Sequence, residues 1–338
     1  MNLEIFKELL DNIQRKGLAS DRSINAFWRY QLERLAPCLS DFDSDLSNIT
    51  SEQIESILQA LAYDQERVSQ SLNTEMLIDF ATNVLPKQQK SFHASLPGEK
   101  RDVEHIGGLW FLWRKKLLEE YLSAVREHGL ISSMTTIRHW WYYRKLKSFL
   151  PHKPIVSILE IGAGSGFFAR LLINDNPSLR YFVVDLSEML LTSSANLTSS
   201  FPMLQASLNS VADNSAPGLF FLETTAIEFV SSATIDVALN FNSMMEMNIE
   251  TRNYYLNQIY RVCSAGALFY NVNRMQRKMS DIGEASYVNN PLTYPYRKED
   301  VVIEWEPDEL QQDYRARFGY GAIESFAISS IRRVNLPQ

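Results

Sequence analysis

The sequence predicts an α/β protein with a doubly wound, mostly parallel sheet of seven strands and a helical N-terminal region. After residue 155, short apolar runs alternate with stretches of helical pattern, which is typical of parallel strands covered by helices on both faces. Before residue 150, apolar residues recur at helical spacing and this alternation is absent. We therefore expect two regions, 1–134 and 135–338.

A capping box at residues 50–53 predicts the start of the first helix. Thr50 can accept a hydrogen bond from the amide three residues later, while Gln53 can reach back to the amide of Thr50. A longer helix is predicted over about 103–128, and Gly129 can end it by adopting a left-handed conformation.

A third helix is predicted over about 135–150 and must end before Pro151. It carries four consecutive aromatic residues, Trp140 to Tyr143. Consecutive residues spread around a helix, so several of these rings must meet other elements. We expect packing in a core, and the alternative is an aromatic floor for a ligand ring.

The strands of the sheet are predicted from five apolar runs and two later β-rich stretches. They lie at 156–161, 181–185, 219–222, 235–239, 267–272, 301–305 and 324–334. Helical patterns separate several of them, so the connections are crossovers between parallel strands. This arrangement predicts a Rossmann-like sheet.

Composition disfavours several classes of protein. The chain has 338 residues, a net charge of −7 and a pI near 5.4, which disfavours nucleic acid as a partner. Cys38 and Cys263 lack nearby cysteines, so no disulfide scaffold is predicted. No apolar run is long enough to cross a membrane, and we expect a cytoplasmic protein. The oligomeric state stays open, with a homo-oligomer as one alternative.

The informative segment is residues 160–166, which read Glu-Ile-Gly-Ala-Gly-Ser-Gly between a predicted strand and a predicted helix. Three alternate glycines allow a tight turn and the close approach of a ligand to the main chain. Asp185 ends the next strand and should lie beside this loop, where its carboxylate can accept both hydroxyls of a ribose. An acid at this position is common to nucleoside-binding folds and does not identify the cofactor.

The loop resembles the Glu/Asp-x-Gly-x-Gly-x-Gly loop of class I S-adenosylmethionine-dependent methyltransferases, over roughly residues 135–338. It differs from the Gly-x-Gly-x-x-Gly pattern of dinucleotide-binding proteins. The resemblance implies S-adenosylmethionine as the cofactor. The residues it implies in cofactor binding are Glu160, Gly162, Ala163, Gly164, Gly166, Asp185 and Leu186, with Glu223, Thr224 and Thr225 beside the adenine and Asn240 at the fourth strand.

The end of the fourth strand, residues 240–247, departs from the Asn/Asp-Pro-Pro-Tyr/Phe signature of amino-group and base methyltransferases. It is similar instead to a family of sugar O-methyltransferases. Residues 138–143, 271–274 and 289–296 support the same resemblance. A saccharide acceptor is therefore implied, and the helical region 1–134 is expected to cover the substrate.

Two side chains are candidates for the base that accepts the proton of an acceptor hydroxyl. Glu246 follows the fourth strand, and its alternative role is to cap the next helix or to pair with an arginine. His139 precedes the first strand, and its more ordinary role is that of a packed, hydrogen-bonded histidine. Because Glu246 is the only carboxylate after the fourth strand, we expect no metal ion at the site.

Other functions remain open at this level. The acceptor can be another small metabolite or a peptide natural product. From a different class, the chain can be a binding module that retains the cofactor pocket without catalysis. The glycine loop and Asp185 favour cofactor binding and do not separate these alternatives.

Overall fold

A computed structural model describes residues 1–16, 49–61, 74–84, 100–150, 155–211, 216–278, 288–318 and 326–335. The chain forms two compact units. The first comprises Met1–Ala62, Leu150–Glu306 and Ile328–Gln338, and the second comprises Tyr63–Phe149 and Pro307–Ala327. This division differs from the expected boundary between residues 134 and 135, because the N-terminal helix packs within the first unit.

The first unit is built on a sheet of eight strands. In chain order they are β1 Ser157–Ile161, β2 Arg180–Asp185, β3 Gln205–Leu208, β4 Gly218–Glu223, β5 Ile235–Phe241, β6 Cys263–Arg274, β9 Val301–Pro307 and β10 Ala327–Arg333, with a separate small hairpin of β7 Arg277–Lys278 and β8 Val288–Asn289. The spatial order is β3-β4-β2-β1-β5-β6-β10-β9. The strands from β3 to β6 pair in parallel, which confirms a mostly parallel, Rossmann-like sheet.

The sheet has eight strands rather than the expected seven. The additional strand is β3, whose sequence Gln-Ala-Ser-Leu contains no apolar run. It lies at the edge, where it pairs with β4 alone, so the burial that makes the other parallel strands recognisable is missing.

The sheet is covered by helices on both faces. Helix α7, Phe167–Asp175, places Phe168 against Phe241 of β5, with ring centroids 4.6 Å apart. Helix α9, Ile249–Val262, contributes Leu256 and Ile259 to the buried cluster on the opposite face, which also contains side chains of β1 and β2. Neighbouring strand residues point to opposite faces, which is why one strand contributes to both cores.

Two further helices of this unit pack together. Helix α1, Leu3–Lys16, buries five apolar side chains, Ile5, Phe6, Leu9, Leu10 and Ile13. It lies on α8, Ser187–Ser200, where the amide of Asn2 donates to Thr198 at 2.8 Å. Burial of each large apolar side chain contributes about 2 kcal/mol, so α1 is an integral part of the unit. Helix α2, Ser51–Leu61, begins at the expected capping box of Thr50 and Gln53, and both of its hydrogen bonds are present.

The second unit is helical. It contains α3 Thr74–Asp79 followed by the π-helical turn Phe80–Val84, α4 Lys100–Arg114, α5 Leu118–Glu127, α6 Met134–Phe149 and α10 Glu309–Phe318. The expected single helix over 103–128 is wrong. It is divided between α4 and α5 because Lys116 adopts a left-handed conformation, with φ of 59°. Gly129 has φ of 57° after α5, as expected for a glycine that ends a helix.

The aromatic run of α6 packs in the core of this second unit. All four side chains from Trp140 to Tyr143 are buried. Trp141 meets Phe111 edge to face at 5.1 Å between ring centroids, and Trp140 meets Tyr121 at 5.5 Å. These contacts support the packing interpretation.

The described residues bear on two of the expectations from composition, namely membrane-spanning helices and cysteines. None of their helices is long and apolar enough to cross a membrane. Cys263 is buried, with a free thiol, whereas Cys38 lies outside the described residues.

Candidate functional site

The glycine loop connects β1 to α7 and has the backbone that its sequence requires. Gly162, Gly164 and Gly166 all have positive φ, at 73°, 57° and 77°. The amide of Gly162 donates to the carbonyl of Val184 at 2.8 Å, which fixes the loop against β2. A Cβ atom at Gly162 would overlap the side chain of Ser243, whereas at Gly164 it would meet nothing within 4 Å. The loop is therefore closely packed at one end and open at Gly164.

Asp185 ends β2 beside this loop, as expected. One carboxylate oxygen accepts from the amide of Gly164 at 2.9 Å and the other from the amide of Leu186 at 2.9 Å. Burial raises the pKa of Asp185 to about 7, against the effect of these two hydrogen bonds. Each oxygen retains a lone pair, so the carboxylate can still accept hydroxyl groups.

Glu160 is buried at the end of β1 and accepts a hydrogen bond from the hydroxyl of Tyr181 at 2.7 Å. Burial, and to a smaller extent the nearby charge of Asp185, raise the pKa of Glu160 to about 7. It is not among the residues that line the cleft described below. Glu160 therefore lies behind the glycine loop and does not line the cleft.

Glu223 ends β4 next to Asp185 in the strand register. Its carboxylate accepts from the hydroxyl of Ser187, from the side-chain amide of Asn209 at 2.7 Å and from that of Asn12 at 3.4 Å. Three donors therefore occupy the side chain that was expected beside the adenine.

The two threonines after Glu223 differ from each other. Thr224 lines the cleft, whereas the side chain of Thr225 is exposed and lies outside the lining. Both begin the short 3-10 helix Thr224–Phe229, so their side chains leave it in different directions. Of the three residues expected beside the adenine, only Thr224 lines the cleft.

A cleft opens at the carboxyl ends of the central strands, between the glycine loop and the segment after β5. One side, which we call the glycine side, is formed by Ile161, Gly162, Gly164, Val184, Asp185, Leu186, Met189 and Thr224. The other, which we call the turn side, is formed by Ser243, Glu246, Met247, Thr251 and Tyr255. Ligands of open parallel sheets bind at this edge, so the cleft is the candidate site.

The turn side begins with a 3-10 helix, Met244–Glu246, directly after β5. Asn242 precedes it with φ of 63°, a conformation that asparagine tolerates better than most residues. Helix α9 then starts at Asn248, whose side chain caps it by accepting from the amide of Thr251 at 2.8 Å. Thr251 and Tyr255 are four residues apart and share the face of α9 that lines the cleft.

Asn240 occupies a different place from the one expected for a cofactor ligand. Its side chain is fully buried, donates to the carbonyl of Ile161 at 2.9 Å and accepts from Asn273 at 2.9 Å. It also donates to the hydroxyl of Ser243. Asn240 therefore holds the floor of the cleft together and does not line it.

Ala163 and Gly166 belong to the loop without lining the cleft. Ala163 is buried and accepts from the amide of Gly166 at 3.0 Å. Gly166 begins α7, and a Cβ atom there would lie 3.0 Å from Leu197 of α8. Both residues shape the turn behind the open position at Gly164.

His139 lies in the second unit, on α6, and Glu246 lies in the first. Burial, and to a smaller extent the positive charge of Arg138, lower the pKa of His139 to about 3. This histidine is therefore neutral near pH 7 and is a much weaker base than an exposed one. Of the two candidate bases, Glu246 is the one that lines the cleft.

Several lining residues carry no recognisable sequence signal. Met189, Met247, Thr251 and Tyr255 are of types that are common in any core or helix. Their only available signal is position, since Met189 lies on the helix that follows β2 and the other three lie on the turn and helix that follow β5. Among the described residues, no group of three or more histidine, cysteine, aspartate or glutamate side chains is placed to hold a metal ion.

Comparison with known proteins gives structural likeness only. No protein-family model matches the chain, and no curated protein matches it. Among solved structures, the chain is similar to an S-adenosylmethionine-dependent methyltransferase from Mesorhizobium loti, with 15% identity, 56% of this chain and 96% of that chain covered, and a TM-score of 0.40.

Two further structures have different activities. One is geranyl diphosphate C-methyltransferase from Streptomyces coelicolor A3(2), solved with S-adenosyl-L-homocysteine, at 10% identity, 60% of this chain and 78% of that chain covered, and a TM-score of 0.43. The other is the cyclase SpnF, at 12% identity, 68% of this chain and 97% of that chain covered, and a TM-score of 0.41. Likeness of this size does not assign a reaction, so the function is argued from the cleft.

Proposed function

We propose that the protein is an S-adenosylmethionine-dependent methyltransferase whose cofactor lies in this cleft. The observation that carries the proposal is the joint placement of Gly164 and Asp185. A Cβ atom at Gly164 would meet only open space, so the main chain is accessible to a ligand. Asp185 lies within hydrogen-bond distance of that same residue and lines the cleft. Main chain and carboxylate together suit a nucleoside whose ribose hydroxyls need acceptors.

The proposed cofactor fits the rest of the glycine side. Leu186 and Met189 offer apolar contacts, and Thr224 a hydroxyl, to an adenine ring beyond the ribose. The sulfonium end would lie towards Ser243 and Glu246, since these are on the turn side. When bound, S-adenosylmethionine supplies a methyl group that is already activated for transfer.

We propose that the acceptor is a hydroxyl group and that Glu246 is its base. Bound S-adenosylmethionine would supply the methyl group to the acceptor oxygen and leave as S-adenosylhomocysteine, and the Glu246 carboxylate would accept the proton of that hydroxyl. General-base assistance of this kind contributes about 100-fold or more in rate. The chain's further task is to align the two reactants and exclude water, which Met247 and Tyr255 assist.

We propose a sugar or a glycosylated small molecule as the acceptor. The turn side combines one carboxylate with the hydroxyl groups of Ser243, Thr251 and Tyr255 and the ring of Tyr255. Hydroxyl and carboxylate groups pair with the several hydroxyls of a sugar, and an aromatic ring packs against its C–H face. This composition supports a polyhydroxylated acceptor, and the resemblance of residues 240–247 to sugar O-methyltransferases supports it independently.

Calorimetric titration of the purified chain tests the cofactor assignment. We expect saturable binding of S-adenosylmethionine and S-adenosylhomocysteine and no binding of NAD. The Asp185→Ala variant should bind the first two more weakly, because the ribose hydroxyls lose their acceptor. Binding of NAD alone, or of none of the three, would contradict the proposal.

A panel of acceptors then tests the substrate class. Monosaccharides, glycosides, hydroxylated metabolites and short peptides are incubated with methyl-labelled S-adenosylmethionine, and incorporation is located by mass spectrometry. We expect label on a sugar hydroxyl. Label on a nitrogen or carbon atom would support methyl transfer as the activity and would contradict the proposal that the acceptor is a sugar hydroxyl. Tight cofactor binding with no transfer to any acceptor favours the non-catalytic binding module.

A further inference from the structure

The segment that carries Glu246 is held by three asparagine side chains from three different strands. The amide of Met244 donates to Asn240 at 3.3 Å, and the amide of Met245 donates to Asn273 at 3.0 Å. Asn289 donates to the carbonyl of Met244 at 2.9 Å and to that of Met247 at 3.1 Å. The carboxamides therefore satisfy backbone groups on both sides of Glu246.

These three asparagines, which we call the asparagine clamp, are buried as completely as core residues. Asn240 at the end of β5, Asn273 in β6 and Asn289 in β8 are each 0% exposed. Asn273 also donates to Asn240 at 2.9 Å, so two of the three are linked directly. Burying a carboxamide without partners is unfavourable, and such residues persist in a core where each is hydrogen-bonded.

Asn289 is itself fixed from behind by an arginine. Arg252 of α9 donates to the Asn289 side-chain oxygen at 3.1 Å and is only 4% exposed. The guanidinium of Arg252 also donates to the Asn253 side-chain oxygen, at 3.2 and 3.3 Å, and lies 4.7 Å from the centroid of the Tyr294 ring. With its oxygen engaged by Arg252, Asn289 can orient its amide group only towards the turn.

Carboxamides suit this task because they donate and accept without carrying a charge. A lysine or an aspartate could hold a backbone group with a stronger bond, but either would change the electrostatic field at Glu246. Because the asparagine clamp is neutral, it adds no charge to the turn side beside the Glu246 carboxylate.

We propose that Asn240, Asn273 and Asn289 are positioning residues that fix the Glu246 carboxylate for proton transfer. The proposal rests on the proposed function for its kinetic consequence but not for its structural one. Because the clamp acts on the main chain of the turn, its loss should loosen Met244 to Met247 while the glycine side keeps its geometry. Catalysis depends strongly on such placement, since small displacements of a reacting group lower rates greatly.

The structural part is tested by hydrogen exchange on Asn289→Leu, Asn289→Asp and the matched control Asn290→Leu. Asn290 is the adjacent residue, and its side chain caps Leu292 rather than the turn. We expect the amides of residues 245–247 to exchange at least tenfold faster in both Asn289 variants and at the wild-type rate in the control. Asn289→Asp keeps an acceptor for Arg252, so it separates loss of the donor from loss of folding. Unchanged exchange at 245–247 in both Asn289 variants would overturn the proposal.

The kinetic part uses S-adenosylmethionine and the best acceptor from the panel described above. We expect the uncharged variant Asn289→Leu to lower kcat by 10- to 100-fold, with the dissociation constant for S-adenosylmethionine within threefold of wild type. In the Glu246→Gln background the same substitution should cause no further loss, because it acts through Glu246. The positioning role would be overturned if the losses in kcat from the Asn289 and Glu246 substitutions multiplied in the double variant. It would also be overturned by a wild-type kcat in an Asn289 variant whose turn exchanges faster. Failure of the wild-type protein to bind S-adenosylmethionine would reject the proposed function, whereas the exchange result would still decide whether the clamp holds the turn.

Discussion

The two sides of the cleft are held in place by different means. The glycine side is shaped by its own main chain, through left-handed glycines and a carboxylate that accepts from neighbouring amides. The turn side is shaped from a distance, by buried carboxamides that reach it from three strands. Local backbone requirements leave a pattern in the sequence, whereas long-range clamps leave only scattered asparagines.

This contrast predicts different responses to substitution. A change on the glycine side should damage the fold and the binding of the proposed cofactor together, because the same atoms serve both. A change on the turn side should separate turnover from cofactor binding. The following variants test that separation, beginning with the largest expected effect.

Gly162→Ala should cause the largest loss. The new Cβ would overlap Ser243, and φ at this position is 73°. Left-handed strain and overpacking together cost about 4 kcal/mol of the free energy of unfolding. Denaturant titration measures it. Gly266→Ala is the matched control, since its φ is 79° and nothing lies within 4 Å, so only about 1 kcal/mol is expected. Equal losses of stability in the two variants would contradict the expected overlap between the new Cβ atom and Ser243.

Glu160→Gln should change how stability depends on pH. The pKa of Glu160 in the folded chain is raised to about 7 from 4.5, so the folded state binds the proton more tightly than the unfolded state. Its contribution is therefore fully present below pH 4.5 and is lost as the pH rises through about 7. Glutamine does not titrate, so the variant should avoid a loss of about 3 kcal/mol on this transition. Melting temperatures at pH 5 and pH 8 measure it, and parallel pH profiles in the two proteins would contradict it.

Glu246→Gln should lower turnover by about 100-fold, because glutamine cannot accept the proton of the acceptor. The affinity for S-adenosylmethionine should change by less than about threefold, since Glu246 belongs to the turn side. Steady-state kinetics and calorimetry measure the two quantities. Thr225→Val, an exposed substitution outside the cleft, is a suitable control and should leave both unchanged. Wild-type turnover in Glu246→Gln would remove Glu246 from catalysis.

Asp185→Asn should lower the affinity for S-adenosylmethionine by about tenfold at pH 8, because a neutral acceptor makes weaker hydrogen bonds. The pKa of Asp185 is raised to about 7, so in the wild type the affinity should rise as the carboxylate ionises between pH 6 and pH 8. The asparagine variant should lose most of this dependence. Calorimetry at several pH values measures it, with Glu160→Gln as the control for the neighbouring carboxyl. A wild-type affinity that is independent of pH would reject ionised Asp185 as the ribose acceptor.

The positions of Gly162, Gly164 and Asp185 beside the cleft could be predicted from the sequence because their signals are local. The two glycines follow β1 and Asp185 ends β2, and strand ends of a parallel sheet meet at one edge. Glu246 was also placed in the cleft by position alone. In each case the position of the residue at the end of a strand and its residue type were enough to place it beside the cleft.

Other features could not be predicted from local pattern. Asn240 was expected to bind the cofactor, but its partners Asn273 and Ser243 bury it, and one of these lies 33 positions away. Strand β3 was missed because an edge strand needs no apolar run. The break before α5 was missed because Lys116 is an ordinary helix-forming residue that here adopts a left-handed conformation.

The docking of α1 has a practical consequence for dividing the gene into fragments. A fragment that begins at residue 135, as the change in sequence texture invites, would lack Asn12 and the five apolar side chains that α1 buries. The surface of α8 that α1 covers would then face water, and exposed apolar surface of this kind promotes aggregation. Such a fragment would also lose Phe111 and Tyr121, which pack against Trp141 and Trp140 of α6, so its insolubility would reflect missing core partners in two places. Supplying residues 1–16 as a separate peptide would restore the cover of α8 and leave the aromatic side chains of α6 without these partners.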